Sequence, residues 1–289
     1  MKRSILGVLI VLTFVAVGIA AAPKLTFTFS DVIANKTATE TDSYGVNNAG
    51  VIAGDYIDSA SVQHGMVLAG KKLTTVDNKN CLTGMAFYAI NSAGTAVGWC
   101  NGSTGAIAFT WTKGKFKTVA YPKATQTEAT GINDQGWVTG FYFDSASVQH
   151  GFVKKASKYK TVDVAGGTSS DVYGINNAGD MVVYAFNSAG GYESFLYNGH
   201  SFKSISDPNA GTTGTVAHAP NNKGDIAGTY FNSAGQAVGF LRHAGKYYDV
   251  VDPKASNSTR NDGINDKLEM VGRYTPAAGG NFGFKAITK

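Results

Sequence analysis

One short motif recurs six times along this chain at a nearly constant spacing. Residues 45–50 read Gly-Val-Asn-Asn-Ala-Gly, and residues 174–179 read Gly-Ile-Asn-Asn-Ala-Gly. Each copy is anchored by an asparagine, and the six are Asn47, Asn91, Asn133, Asn176, Asn221 and Asn265. Successive anchors are 44, 42, 43, 45 and 44 residues apart. A period in the forties is the length of one four-stranded blade, so the spacing predicts an all-β fold, a six-bladed β-propeller.

Each repeat divides into four strand-like segments separated by glycine-rich or polar turns. In the first repeat these segments are 42–47, 51–57, 64–69 and 73–77. We expect the anchor asparagines to bond the backbone of the first turn. A small residue, such as Gly45, stands two before most anchors, and a glycine, such as Gly54, stands seven after most of them. The first position predicts crowding of the inner strands at the axis, and the second predicts a close contact between backbones or a bulge.

The ends of the chain predict how the ring closes. The sixth repeat lacks a fourth strand, whereas the segment Leu25–Val32 precedes the first repeat without a place in it. Pairing Leu25–Val32 with Phe282–Ile287 completes the last blade and removes an open sheet edge. We therefore expect a single propeller domain over residues 22–289.

The N-terminus has the pattern of an export signal. Lys2 and Arg3 precede an apolar run over 5–20, and small residues follow up to Ala22. This predicts a signal peptide over residues 1–21 and a secreted or periplasmic protein that is free of the membrane after cleavage. The alternative is an uncleaved anchor, because the apolar run approaches the length that spans a bilayer.

Cys81 and Cys100 are the two cysteines of the chain. An even pair in an exported protein predicts one disulfide. Both residues belong near one face of the second repeat. Two buried free thiols are the alternative.

Charge excludes one class of partner and leaves another open. A formal net charge of +5 is too small to indicate a nucleic-acid-binding protein. Lysines cluster in the last hairpins of the first three repeats, where they protect an edge strand from aggregation or bind an acidic polysaccharide. The clusters are Lys71 and Lys72; Lys113, Lys115 and Lys117; and Lys154, Lys155, Lys158 and Lys160.

We find no catalytic motif, no metal-ligand series and no phosphate-binding glycine loop, so no cofactor is expected. His64 and His150 lie in an octapeptide that occurs identically at 58–65 and 144–151. A propeller holds these two repeats apart, so the histidines predict a polar contact at the start of the third strand and not a shared metal site.

The candidate ligand site lies where the six inner strands begin. Aromatic and polar side chains stand three residues before most anchors, and such a mixture suits a sugar or a peptide. The predicted set is Tyr44, Tyr88, Tyr173, His218 and Asp262 at this position, together with Arg260, which stands five residues before its anchor. Alternatively, the tyrosines pack between blades. A second candidate is an outer rim nine residues past the anchors, formed by Tyr56, Tyr142, Tyr230 and Tyr274.

The repeat resembles the HAF-type extracellular repeat family over the whole mature chain. The likeness rests on the Gly-Ile-Asn-Asp/Asn-x-Gly turn, on Val138–Tyr142, on His150-Gly-Phe-Val, and on the Asp-Pro turns at Asp207 and Asp252. Val183 and Pro220 depart from the pattern. The resemblance implies export from a bacterium and carries no catalytic residues.

Together these features predict an exported, non-catalytic binding or scaffold module whose partner is a glycan or a secreted or cell-surface protein. The alternative is a lyase or hydrolase at the channel mouth. In that enzyme His218 would act as the base, with Asp262, Glu128 and Arg260 positioning the substrate.

Overall fold

A computed structural model describes residues 25–289 of the chain. The predicted signal peptide over 1–21 lies outside the described residues. Residues 25–289 form 24 β-strands and no helix. Within this range there is accordingly no helix of the length and apolarity needed to cross a membrane.

The strands are arranged as six blades of four, with the inner strand of each blade first in the sequence. Blades one to three are β2 (Glu40–Val46), β3 (Ile52–Ile57), β4 (Gln63–Ala69) and β5 (Lys72–Val76); β6 (Ala86–Ile90), β7 (Ala96–Gly102), β8 (Gly105–Thr112) and β9 (Lys115–Val119); and β10 (Gln126–Ile132), β11 (Val138–Phe143), β12 (Gln149–Lys155) and β13 (Lys158–Thr161). Blades four to six are β14 (Ser169–Ile175), β15 (Met181–Phe186), β16 (Tyr192–Tyr197) and β17 (Phe202–Ile205); β18 (Thr215–Pro220), β19 (Ile226–Phe231), β20 (Ala237–His243) and β21 (Lys246–Val250); and β22 (Ser258–Ile264), β23 (Glu269–Thr275), β24 (Phe282–Thr288) and β1 (Phe27–Val32).

The predicted closure of the ring is confirmed. β1 pairs with β24 in antiparallel register, with Phe27 opposite Thr288 and Val32 opposite Gly283. The N-terminal strand is therefore the outer strand of the last blade. All six blades consequently have four strands.

Every inner strand contains a β-bulge at the residue three positions before its anchor asparagine. The bulged residues are Tyr44, Tyr88, Thr130, Tyr173, His218 and Asp262. The glycine seven after the anchor lies beside the bulge: a Cβ on Gly54 would collide with the carbonyl oxygen of Asp42. Neighbouring inner strands crowd as predicted, since a Cβ on Gly45 would lie 2.8 Å from the Cα of Ala89.

The anchor asparagines join each blade to the next. Asn47 Oδ1 accepts hydrogen bonds from the backbone N–H groups of Ala49 and Val51, which confirms the expected role in the turn. Asn47 Nδ2 also donates to the carbonyl oxygen of Asn91 in the second blade, at 3.0 Å. The same bond runs from Asn91 to Asn133, then to Asn176, Asn221, Asn265 and back to Asn47. This closed circle of six bonds was not predicted.

The apolar core lies between the faces of adjacent blades. Val97 and Ala108 of the second blade pack with Ala129 and Phe152 of the third. Inward and outward positions alternate along the strands, so each blade contributes apolar side chains to two such clusters. Stability therefore depends on every blade having neighbours on both sides.

The predicted disulfide between Cys81 and Cys100 is confirmed. Cys81 lies in the connection that enters the second blade, and Cys100 lies near the end of β7. The backbone N–H of Leu82 donates to the Asn101 carbonyl oxygen at 2.8 Å. These contacts fasten the connection to the blade on the face where the inner strands begin.

Candidate functional site

A collar of apolar side chains, one from each inner strand, divides the central channel into two polar spaces. The collar consists of Val46, Ile90, Ile132, Ile175, Pro220 and Ile264. On one side lie the anchor asparagines. On the other side lies a space that we call the axial vestibule, lined by the bulged residues Tyr44, Tyr88, Thr130, Tyr173, His218 and Asp262.

The axial vestibule brings together five of the six predicted site residues, but not Arg260. The extra residue of a bulge is unpaired, and its side chain is redirected. Asp262 is that residue in the sixth blade, so it points into the vestibule. Arg260 precedes the bulge and stays in the regular ladder opposite Arg273. Arg260 therefore lies in a separate cleft.

The axial vestibule is too small for a sugar. Its volume is about 80 Å³. Sites for drug-sized ligands typically have volumes of ~300–1,000 Å³. One water molecule takes roughly 30 Å³ in the liquid. The vestibule can hold a few waters, and its aromatic rings pack against one another.

Stacked side chains fill one half of the mouth. The Arg273 guanidinium lies 4.9 Å from the centre of the Tyr44 ring. Tyr44 stacks on Tyr88 at 4.8 Å, and Tyr88 stacks on Trp99 at 6.0 Å. The tyrosines thus pack between blades, as the alternative interpretation held, and they also line the vestibule. A guanidinium over an aromatic face is a favourable cation–π arrangement, so the stack holds Arg273 in place.

His218 and Asp262 form a buried pair in the other half of the mouth. His218 Nδ1 lies 3.2 Å from Asp262 Oδ1 and 3.1 Å from the carbonyl oxygen of Asn261. Burial lowers the pKa of His218, although Asp262 acts in the opposite direction, so the imidazole is neutral at pH 7. Asp262 Oδ2 lies 3.7 Å from an Arg273 nitrogen. The spacing is that of a base and its orienting carboxylate, but His218 is only 5% exposed.

Three carboxyl groups near the vestibule hold a proton to higher pH than an exposed carboxyl group does. Burial raises the pKa of Asp55 to about 7, that of Glu128 to about 7 and that of Asp171 to about 8. Desolvation penalises the charged form in each case, and Asp42 adds a repulsive charge beside Asp55. The mouth therefore becomes more negative as pH rises through neutrality.

A larger cleft opens between the sixth and first blades, on the same face of the ring. We call it the blade 6–1 cleft, and its volume is about 400 Å³. Its lining is almost wholly polar and consists of Asp42, Tyr44, Ser258, Arg260, Arg273, Thr275 and Asn281. The cleft thus has the size of a small-ligand site, and it offers both donors and acceptors.

A further cleft, of about 500 Å³, is apolar. Phe282 lines it together with Ile33 and Ala38. Both Phe282 and Ile33 are exposed, at 37% and 60%. Asn281 of the polar cleft and Phe282 of the apolar cleft are consecutive residues.

The predicted outer rim of tyrosines is not available to a ligand, which corrects that interpretation. Tyr56, Tyr142, Tyr230 and Tyr274 are between 4% and 9% exposed. Their hydroxyl groups bond inside the same blade, for example Tyr56 to Thr75 at 3.0 Å. Aromatic side chains at the end of a second strand bury large areas by packing on the blade, and this outweighs exposure at the rim.

The two identical octapeptides form identical polar clusters. His64 Nδ1 lies 2.7 Å from Asp77, and its Nε2 lies 3.4 Å from Asp58. His150 contacts Asp163 and Asp144 at 2.7 and 3.5 Å. This confirms the polar contact expected at the start of the third strand. Among residues 25–289, no group of three or more His, Cys, Asp or Glu side chains is placed to hold a metal.

No family model matches the chain, and no curated protein matches it in sequence. Several solved structures share its fold. A protein described as TolB from Agrobacterium tumefaciens is 12% identical, with a TM-score of 0.59 over 93% of this chain and 99% of that one. The fucose-specific lectin from Aleuria aurantia is 10% identical, with a TM-score of 0.55 over 86% and 93%. The lectin SapL1, in complex with α-methyl fucoside, is 10% identical, with a TM-score of 0.52 over 82% and 89%. At such identities the likeness shows the fold alone.

Sequence reasoning missed Arg273 and Asn281. The sequence did contain a signal for Arg273, because the residues five before and eight after each anchor are cross-strand partners in the regular ladder that precedes the bulge. Only the sixth repeat has arginine at both positions, Arg260 and Arg273. No comparable pattern marks Asn281, whose place depends on the packing of the last blade against the first.

Proposed function

We propose that this protein is an exported, non-catalytic carbohydrate-binding propeller of the HAF type, with its ligand in the blade 6–1 cleft. The observation that carries the proposal is the contrast between the two spaces at the mouth. The axial vestibule has about 80 Å³, whereas the polar cleft beside it has about 400 Å³. Of these two spaces, the polar cleft is the one with room for a saccharide.

The lining of the cleft suits sugar hydroxyl groups. Asn281, Ser258 and Thr275 can donate and accept hydrogen bonds, and the guanidinium groups can only donate. Phe282, which lines the apolar cleft, is an exposed aromatic side chain on which a sugar ring could stack. Two structural neighbours are described as a fucose-specific lectin and as a lectin with bound fucoside. These descriptions support a carbohydrate as the class of ligand. The structural neighbour described as TolB is not described as a lectin, so the fold by itself does not decide the function.

The test is a glycan array probed with the purified protein, followed by titration of the best ligand. Asn281→Ala should weaken binding about tenfold, since it removes one or two hydrogen bonds. Gln236→Ala is the matched control, because Gln236 is an exposed residue just before the third strand of the fifth blade. Equal loss in both variants, or binding to no glycan, would contradict the proposal.

Export is part of the same proposal and has its own test. Protein recovered from the culture medium or periplasm should begin at Ala21 or Ala22, which N-terminal sequencing would show. Membrane-bound protein beginning at Met1 would support the uncleaved anchor instead.

The 3.2 Å contact between His218 and Asp262 favours a second candidate, a lyase or hydrolase acting at the mouth. The small vestibule and the burial of His218 make this the weaker candidate. Degradation of a polysaccharide that is lost in His218→Ala and retained in Asn281→Ala would establish it.

A further inference from the structure

The polar cleft contains two arginines placed directly opposite each other. Arg260 on β22 is the cross-strand partner of Arg273 on β23, and Ser258 is likewise opposite Thr275. Like charges in this relationship destabilise a sheet. A feature that costs stability without a structural gain points to function.

Arg273 is compensated. Its guanidinium lies over the Tyr44 ring at 4.9 Å and 3.7 Å from Asp262. Only 18% of its side chain is exposed. Arg273 thus belongs to the permanent packing of the mouth, and its charge is matched by an internal carboxylate.

Arg260 is not compensated in this way. No ion pair within residues 25–289 includes it, whereas Lys254, Arg273 and Lys285, in the sixth blade or in the connection that enters it, each pair with an acidic group. Its guanidinium lies 5.6 Å from the centre of the Phe231 ring of the fifth blade, so the charged end of the side chain lies at the side of the cleft nearest that blade, and the ring supports one face of the guanidinium plane. Its side chain lines the blade 6–1 cleft and is partly exposed. Arg260 is therefore a cation of the cleft lining that forms no ion pair within the described residues, and the Asp42 carboxyl group lines the same cleft.

We infer that the blade 6–1 cleft is selective for a carboxylate-bearing sugar, a uronic acid or its oligomer, whose carboxylate pairs with Arg260. The inference rests on the proposed carbohydrate function and names the class of sugar. A guanidinium presents two parallel N–H groups that match the two oxygens of a carboxylate. The hydroxyl groups of the ring would bond Ser258, Thr275 and Asn281 on the walls of the cleft.

Asp42 in the same cleft is compatible with an acidic ligand. Burial raises the pKa of Asp42, although the charge of Arg273 acts against this, so its carboxyl group takes up a proton more readily than usual. One of its oxygens accepts a hydrogen bond from the Tyr44 hydroxyl at 3.1 Å. When protonated, the group can donate to a ligand oxygen instead of repelling it.

The experiment compares each uronate oligosaccharide of a panel with its methyl ester, which removes the charge and keeps the sugar. Titration calorimetry of the full mature chain should show the acid binding about tenfold or more tightly than the ester, because a charge-assisted pair contributes ~1.5–3 kcal/mol. The preference should weaken with added salt.

Arg260→Gln should bind acid and ester equally, and Arg260→Lys should keep part of the preference. Arg242→Gln is the matched control, because Arg242 lies against Tyr247 in the fifth blade and should have no effect on binding. Melting temperatures of all variants verify that they are folded. Equal affinity of the wild-type chain for acid and ester, a preference that survives Arg260→Gln, or selectivity for sulfated sugars alone would overturn the inference and leave the proposed function standing. Binding of no saccharide at all would overturn both.

Discussion

Asn265 Nδ2 donates a hydrogen bond to the carbonyl oxygen of Asn47 at 3.0 Å, which joins the last blade to the first across 218 residues of sequence. It is the sixth bond of a circle in which each anchor asparagine bonds the next. The sixth and first blades are also joined at the outer edge, because β1 is the outer strand of the sixth blade and the chain continues from it into the first blade. The blade 6–1 cleft lies at this junction, so closure of the ring also builds the candidate site.

Removal of one anchor should destabilise the whole ring. Asn47→Ala deletes two hydrogen bonds in its own turn and one to the second blade, all at buried or partly buried groups. We expect the free energy of unfolding to fall by about 3 kcal/mol, measured by denaturant titration. Asn257→Ala, at an exposed residue before β22, is the control and should change it by less than about 0.5 kcal/mol.

Deletion of residues 24–33 should lower the melting temperature of the entire propeller, by roughly 10 °C or more. The deletion strips the outer strand from the last blade and exposes the edge of β24. A circular permutant that carries residues 25–33 after Lys289 should recover most of the loss, because β1 could then form a hairpin with β24. A deletion variant that melts like the intact chain would show that the closure is dispensable.

The disulfide should be present in the exported protein and should contribute about 3 kcal/mol, since it closes a loop between residues 19 positions apart. Mass spectrometry of non-reduced peptides will detect a peptide pair linked through Cys81 and Cys100. The double variant Cys81→Ser/Cys100→Ser should melt lower than the wild type under oxidising conditions, and like the wild type in reductant. Two thiols open to alkylation in the native protein would refute the bond.

Asp171→Asn should make the protein more resistant to alkaline pH. Burial raises the pKa of Asp171 from 3.8 to about 8, so the folded state keeps a proton that the unfolded chain releases above about pH 4. The contribution of this group to stability is thus fully present below about pH 4 and is lost progressively as the pH rises from about 4 to about 8. At pH 9 the variant should melt about 5 °C or more above the wild type, and at pH 4 the two should nearly coincide. An equal difference at both pH values would disprove this linkage.

The architecture was predictable because it follows from spacing. Six asparagines at intervals of 42 to 45 residues predict six blades, and the surplus segment Leu25–Val32 predicts the closure. Both expectations hold. The circle of hydrogen bonds between anchors could not be predicted in the same way, since it depends on how closely neighbouring inner strands approach one another around the axis.

The candidate site was predictable only in part. The tyrosines, His218 and Asp262 do meet at the channel mouth, because a bulge recurs at the same position in all six inner strands. Periodicity alone placed Arg260 with them, but the bulge redirects only its own residue and leaves Arg260 in the cleft. Burial of the outer tyrosines likewise depends on packing within each blade.

The position of a bound saccharide tests the central claim most directly. A crystal structure of the mature protein with the strongest ligand from the glycan array should show the sugar between the sixth and first blades, in contact with Arg260 and Asn281. Clear density for the sugar in the axial vestibule, at another pair of blades or on the lysine-bearing edges would contradict the account.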